Sequence, residues 1–109
     1  MTDAQRLLLA QLEPVCRTTG YIAVPEHRFA PPRRWRIDVA LIGIWPIVAV
    51  EIDGGAFIAG RHTRGVGVEK DNEKIAALAL HGYRFIRVTP RQVKDGTALA
   101  WVRAVLEGR

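Results

Sequence analysis

Apolar and polar positions along the chain fall into seven blocks, each with a legible period. The first carries Leu8, Leu9, Leu12 and Val15 or Cys16 at helical spacing, with Thr2 or Asp3 placed to cap it and Pro14 interrupting its final turn. YIAVPEHRF follows as a strand that Pro25 marks as an edge or a late start. WRIDVALI and IVAVEID are two further strands joined by the turn GIWP. In the second of them Val48, Val50 and Ile52 point one way, and Ile47 and Ala49 the other. A strand apolar on both sides is a central one, covered on both faces. The loop GGAFIAGRHTRGVG leads to a helix over EKDNEKIAALALHG, acidic in its first turn, with Ile75, Leu78 and Ala79 inward and Gly82 ending it. YRFIRVT is the last strand. Thr89 caps a short turn opened by Pro90, and Thr97 caps a final helix with Leu99, Val102, Val105 and Leu106 on one side.

This order predicts an antiparallel meander followed by a helical crossover. The result is an α/β domain with a mixed four-stranded sheet between helices, αβββαβ plus a C-terminal helix. At 109 residues the chain reads as one domain, 1–109.

Register carries the chemistry. A loop over residues 43–46 sets Asp38 directly across from Glu51, about 4.5–5.5 Å apart at Cβ. Alternation places Asp53 on the same face, and a loop over 30–34 brings Glu26 opposite Asp38. Opposed carboxylates repel and are costly to bury, so a cation between them is the natural remedy. Mg²⁺ is commonly held by one or two carboxylates together with waters and substrate phosphates. Basic residues flank the acids in sequence: Arg33, Arg34 and Arg36 before, and Arg61, Arg64, Lys70 and Lys74 after. Sixteen Lys and Arg against eleven Asp and Glu leave a net charge of +5, which suits a nucleic-acid partner. Acids for a metal inside a cationic surround suit phosphodiester hydrolysis.

At these residues the chain resembles the PD-(D/E)XK, or restriction-endonuclease-like, nuclease superfamily, and within it the small very-short-patch-repair-type nucleases and their phage-borne relatives. The likeness spans about residues 26–95: the Asp of WRIDVA, the run Glu51, Asp53, Gly54 and Gly55, then Asp71, then LALHGYRFIRVT. It implies a three-layer α/β/α nuclease core, Mg²⁺ or Mn²⁺ held by Asp38, Glu51 and Asp53, and DNA as substrate. The superfamily's usual strand lysine is absent, and Asp53 stands in its place. Some members recruit a lysine from the following helix, which points to Lys74; the repair-type branch uses a histidine after the acid strand, which points to His62. Asp71 matches an acid of that branch. An acid on its first helix is matched by Glu13, although Glu26 fits the strand geometry better.

Each of these residues has a plainer reading. Glu51 and Asp53 can be exposed at a strand end, and His62 can be a solvated phosphate contact. Lys74 can be an exposed helix residue beside Asp71, and Asp71 can serve only the helix dipole. Trp35, Trp45 and Trp101 read as packing residues.

The resulting expectation is a divalent-metal-dependent DNA endonuclease directed to a nick, mismatch or branch. Its phosphate contacts are Arg33, Arg34, Arg61, Arg64 and Lys70, and concerted double-strand cleavage requires a homodimer. The alternatives are a Holliday-junction resolvase, a homing-type nuclease, or a catalytically silent nucleic-acid-binding module. A lone Cys16 excludes an intramolecular disulfide and a cysteine-based zinc cluster. No apolar run spans a membrane and no signal peptide is expected, so the expected location is cytoplasmic.

Overall fold

The structure, a computed structural model, describes residues 1–53 and 65–108, with only the backbone at 65 and 66. Along the chain run α1 (Asp3–Thr19), β1 (Ile22–Arg28), β2 (Arg36–Ile42), β3 (Val48–Ile52), α2 (Gly65–Leu80), β4 (Arg84–Val88), α3 (Pro90–Lys94) and α4 (Thr97–Leu106). The strands lie in the order β1-β2-β3-β4. The first three are antiparallel and β4 joins β3 in parallel. This is the expected α/β architecture with a mixed four-stranded sheet.

Thr2 caps α1 through a reciprocal box with Gln5, and Gly20 closes it with φ 87. The helix runs through Pro14 to Thr19. Pro14 and Ala10, whose carbonyl loses its partner there, are both exposed, so the lost helix bond leaves no buried oxygen. Leu8 and Leu12 are fully buried against Val39, Leu41, Val48, Val50 and Val88, together with Val93, Ala98 and Val102 of the last two helices. On the opposite face Ala40 and Ala49 pack with Phe29, Ile37 and Leu78 of α2. β3 is therefore covered on both sides, which its apolar run requires.

Four local expectations are corrected. α2 begins at Gly65, so its first turn holds no acid, and Asp71 lies in its second turn. Its inward stripe is Lys74, Ala77 and Leu78, while Ile75 and Ala79 are exposed. That rotation follows from the long lysine stem lying over the sheet to reach a buried partner. Thr97 is the first residue of α4 rather than its cap; Gly96 holds that position, and the Thr97 N–H donates to Asp95 Oδ1 at 2.9 Å. Trp35 stacks on Phe29 as expected, whereas Trp45 and Trp101 are exposed at 69% and 46%, Trp45 packing by its ring tip against Gly82.

α2 ends in a Schellman arrangement, with Tyr83 N donating to Leu78 O and Gly82 N to Ala79 O. Gly82 takes φ 87, and the tip of the Trp45 ring lies where its Cβ would stand. Among the described residues no helix is long and apolar enough to cross a membrane.

Candidate active site

β2 and β3 pair through Val39–Val50, Ala40–Ala49 and Leu41–Val48. Continuing that register sets Asp38 opposite Glu51, as expected. There the ladder changes hands. The Ile52 N–H donates to the Asp38 carboxylate (Oδ2, 2.7 Å) instead of to a β2 carbonyl. Asp38 thus closes the end of the β2–β3 pairing with its side chain. The regular alternation of β2 ends here too, because Ile37 packs with Ala40 and Leu78 and not with Val39.

Glu51 faces α2, whose Lys74 Nζ lies 2.7 Å from its Oε1. Both side chains are largely buried, Glu51 17% and Lys74 25% exposed. Burial lifts the Glu51 pKa from 4.5 to about 7. The Lys74 hydrogen bond and charge pull it down, and Asp38 pushes it up by repulsion and by a hydrogen bond that favours the protonated Glu51 carboxyl. Two acids and one ammonium therefore meet where β2, β3 and α2 converge. Lys74 is not an exposed helix residue; its carboxylate partner is Glu51.

Asp53 follows β3 directly, partly buried, and its N–H donates to Val88 O at 2.7 Å, which carries the β4 pairing one residue past the strand. Glu26 occupies the register position opposite Asp38, but its backbone sits at φ 49 and the β1–β2 ladder skips this pair. Its carboxylate is exposed and turns to Arg36 (3.7 Å), so the structure does not bring Glu26 to the other acids. Glu13 is likewise exposed and bonded to Arg17. Asp71 is partly buried on α2, and Lys70 is exposed. His62, Arg61 and Arg64 lie outside the described residues.

The loop between β1 and β2 stands beside this site. Arg33 stacks on Trp35, its guanidinium carbon 3.8 Å from the ring centroid, and bonds Glu73 of α2 at 3.0 Å. Glu73 and Lys74 are adjacent, so one turn of α2 is tied both to the arginine loop and to the acidic strand. Arg34 is exposed on the same loop.

Sequence reasoning missed Gln5. It is 5% exposed, and its amide nitrogen donates to the Asp38 carbonyl at 3.2 Å while its oxygen accepts from Thr2 N–H at 2.8 Å. The capping-box spacing Thr2-x-x-Gln5 was visible, but the second bond joins residues 33 positions apart.

Comparison with protein-family models, curated proteins and solved structures finds no match to this chain.

Proposed function

We propose that this chain is a divalent-metal-dependent DNA endonuclease of the PD-(D/E)XK, restriction-endonuclease-like kind, acting on a nick, mismatch or branch. The supporting observation is the meeting of Asp38, Glu51 and Lys74. Opposed carboxylates and a lysine from the crossover helix supply the acid pair and the ammonium that the missing strand lysine left in question.

The donor set fits Mg²⁺ or Mn²⁺. Asp38 and Glu51 are hard oxygen ligands facing each other, and the repulsion that Asp38 adds to the raised Glu51 pKa marks a place where positive charge is wanted. Such an ion, when bound, polarises a phosphoryl oxygen and acidifies an attacking water. Asp38 and Glu51 hold it, and Asp53 acts as a further ligand or orients the water. Lys74 Nζ steadies a phosphoryl oxygen or takes part in proton transfer, a role His62 shares or replaces. Arg33, Arg34, Arg61, Arg64 and Lys70 hold the DNA backbone. Concerted cleavage of both strands requires two copies.

The test is cleavage of supercoiled, mismatched and four-way-junction DNA with Mg²⁺, Mn²⁺ or EDTA, beside Glu51→Gln. Cutting that needs the ion and is lost in the variant supports the nuclease, and substrate preference separates a lesion-directed enzyme from a junction resolvase or homing-type nuclease. The rival reading is a silent nucleic-acid-binding module. It draws on the same Glu51–Lys74 pair, which already neutralises one acid internally. DNA binding with a steep salt slope and no cutting under any condition would favour that module.

A further inference from the structure

Gln5 is the buried polar residue that links α1 to the acidic end of the sheet. Its position is defined twice. The carbonyl of its side chain closes the α1 capping box with Thr2, and the amide nitrogen is thereby aimed at Asp38 O. The Asp38 carbonyl lies on the β1 side of β2. Asp53 N and the Arg84 N–H to Ile47 O direct the odd residues of β3 toward β4, and Ile52 N points to β2. Across the pairs 39–50 and 41–48, Val39 and Leu41 therefore bond toward β3, and Asp38 bonds toward β1. The β1 residue opposite Asp38 is Glu26, which the ladder omits and whose φ is 49. A carbonyl oxygen has two lone pairs, and Gln5 gives that of Asp38 a donor from α1, outside the sheet.

We infer that Gln5 is a positioning residue for Asp38. It pins the backbone on the α1 side while the Ile52 N–H holds the carboxylate on the β3 side, so that the second carboxylate oxygen is presented toward Glu51. The inference rests on the proposed metal-binding reading for its functional meaning, but its structural core is independent of it.

The experiment follows amide exchange at Ile52 in the metal-free full chain. Three variants are compared: Gln5→Leu, which loses both bonds; Gln5→Glu, which keeps the capping box and loses the donor to Asp38; and Thr2→Ala, which loses the hydroxyl cap and keeps that donor. Exchange at Ile52 is expected about five- to tenfold faster in both Gln5 variants, with Val50 much less affected, and unchanged in Thr2→Ala. Mn²⁺ affinity, read by water-proton relaxation without DNA, should fall in the same two variants only. Unchanged Ile52 exchange in Gln5→Glu would overturn the inference, as would an equal effect of Thr2→Ala, which assigns the change to helix capping. If Gln5→Leu does not fold, Gln5→Glu and Thr2→Ala decide. If the wild-type chain binds no Mn²⁺, the nuclease reading fails while Ile52 exchange still decides the role of Gln5.

Discussion

Lys74 and Glu51 are 23 positions apart in the chain and 2.7 Å apart in space. The ammonium comes from a helix and the carboxylate from the central strand that the helix covers. Each is paired where burial would otherwise expel its charge.

Replacing Lys74 with Met removes the group that opposes desolvation of Glu51. The Glu51 carboxyl should then titrate above its present value of about 7, which carboxyl-carbon NMR reads directly. Cleavage should fall by about 10²-fold or more, the range for loss of a proton-transfer or charge-stabilising group. Lys74→Arg, which restores charge, should return the titration toward wild type. A Glu51 titration that stays put in Lys74→Met would show that the pair contributes little.

The raised Glu51 pKa sets a pH dependence of stability. The folded chain holds this proton to about pH 7, and the unfolded chain releases it near 4.5. The native state therefore binds more protons between those values. The contribution is fully present below pH 4.5 and is lost as pH rises through 7, by at most ~3 kcal/mol. The difference in unfolding free energy between wild type and Glu51→Gln, measured in EDTA, should shift against the wild type across that window. A difference flat in pH would contradict it.

Metal binding should compete with the same proton. Mg²⁺ or Mn²⁺ uptake at pH 6 should release protons, seen by calorimetry in buffers of different ionisation enthalpy, and affinity should rise until pH passes about 7. Asp38→Asn and Glu51→Gln should each abolish the protective effect of the ion on thermal unfolding at pH 8. Retention of that protection in both variants would place the ion elsewhere.

Arg33 and Arg34 should differ on DNA. Arg33 is engaged by Glu73 and Trp35, whereas Arg34 is exposed. Arg34→Ala should weaken binding across sequences and reduce the salt slope by about one. Glu73→Gln should tighten binding severalfold, because it frees Arg33 and removes a negative charge beside the phosphates. Stability should change by less than ~1 kcal/mol, as both partners of that pair are half exposed. Weaker DNA binding in Glu73→Gln would mean that Glu73 orders Arg33 for contact.

The element order, the central place of β3 and the facing of Asp38 and Glu51 are legible in the residue pattern alone. Those follow from local rules, since a four-residue turn and a two-residue period leave one register that buries Val39, Leu41, Val48 and Val50 together. The same rules put Glu26 opposite Asp38 and were right about the register, yet the side chain turns to Arg36, because a single backbone at φ 49 redirects it without shifting the pairing. On α2 the pattern places Leu78 inward correctly but Ile75 and Ala79 wrongly, because apolar spacing cannot anticipate a lysine drawn inward by a buried acid. That Lys74 meets Glu51 and that Gln5 meets Asp38 is visible in the folded chain and in no local pattern. Both contacts cross between layers, where helix placement is set by the packing of the whole core and by no spacing within the chain.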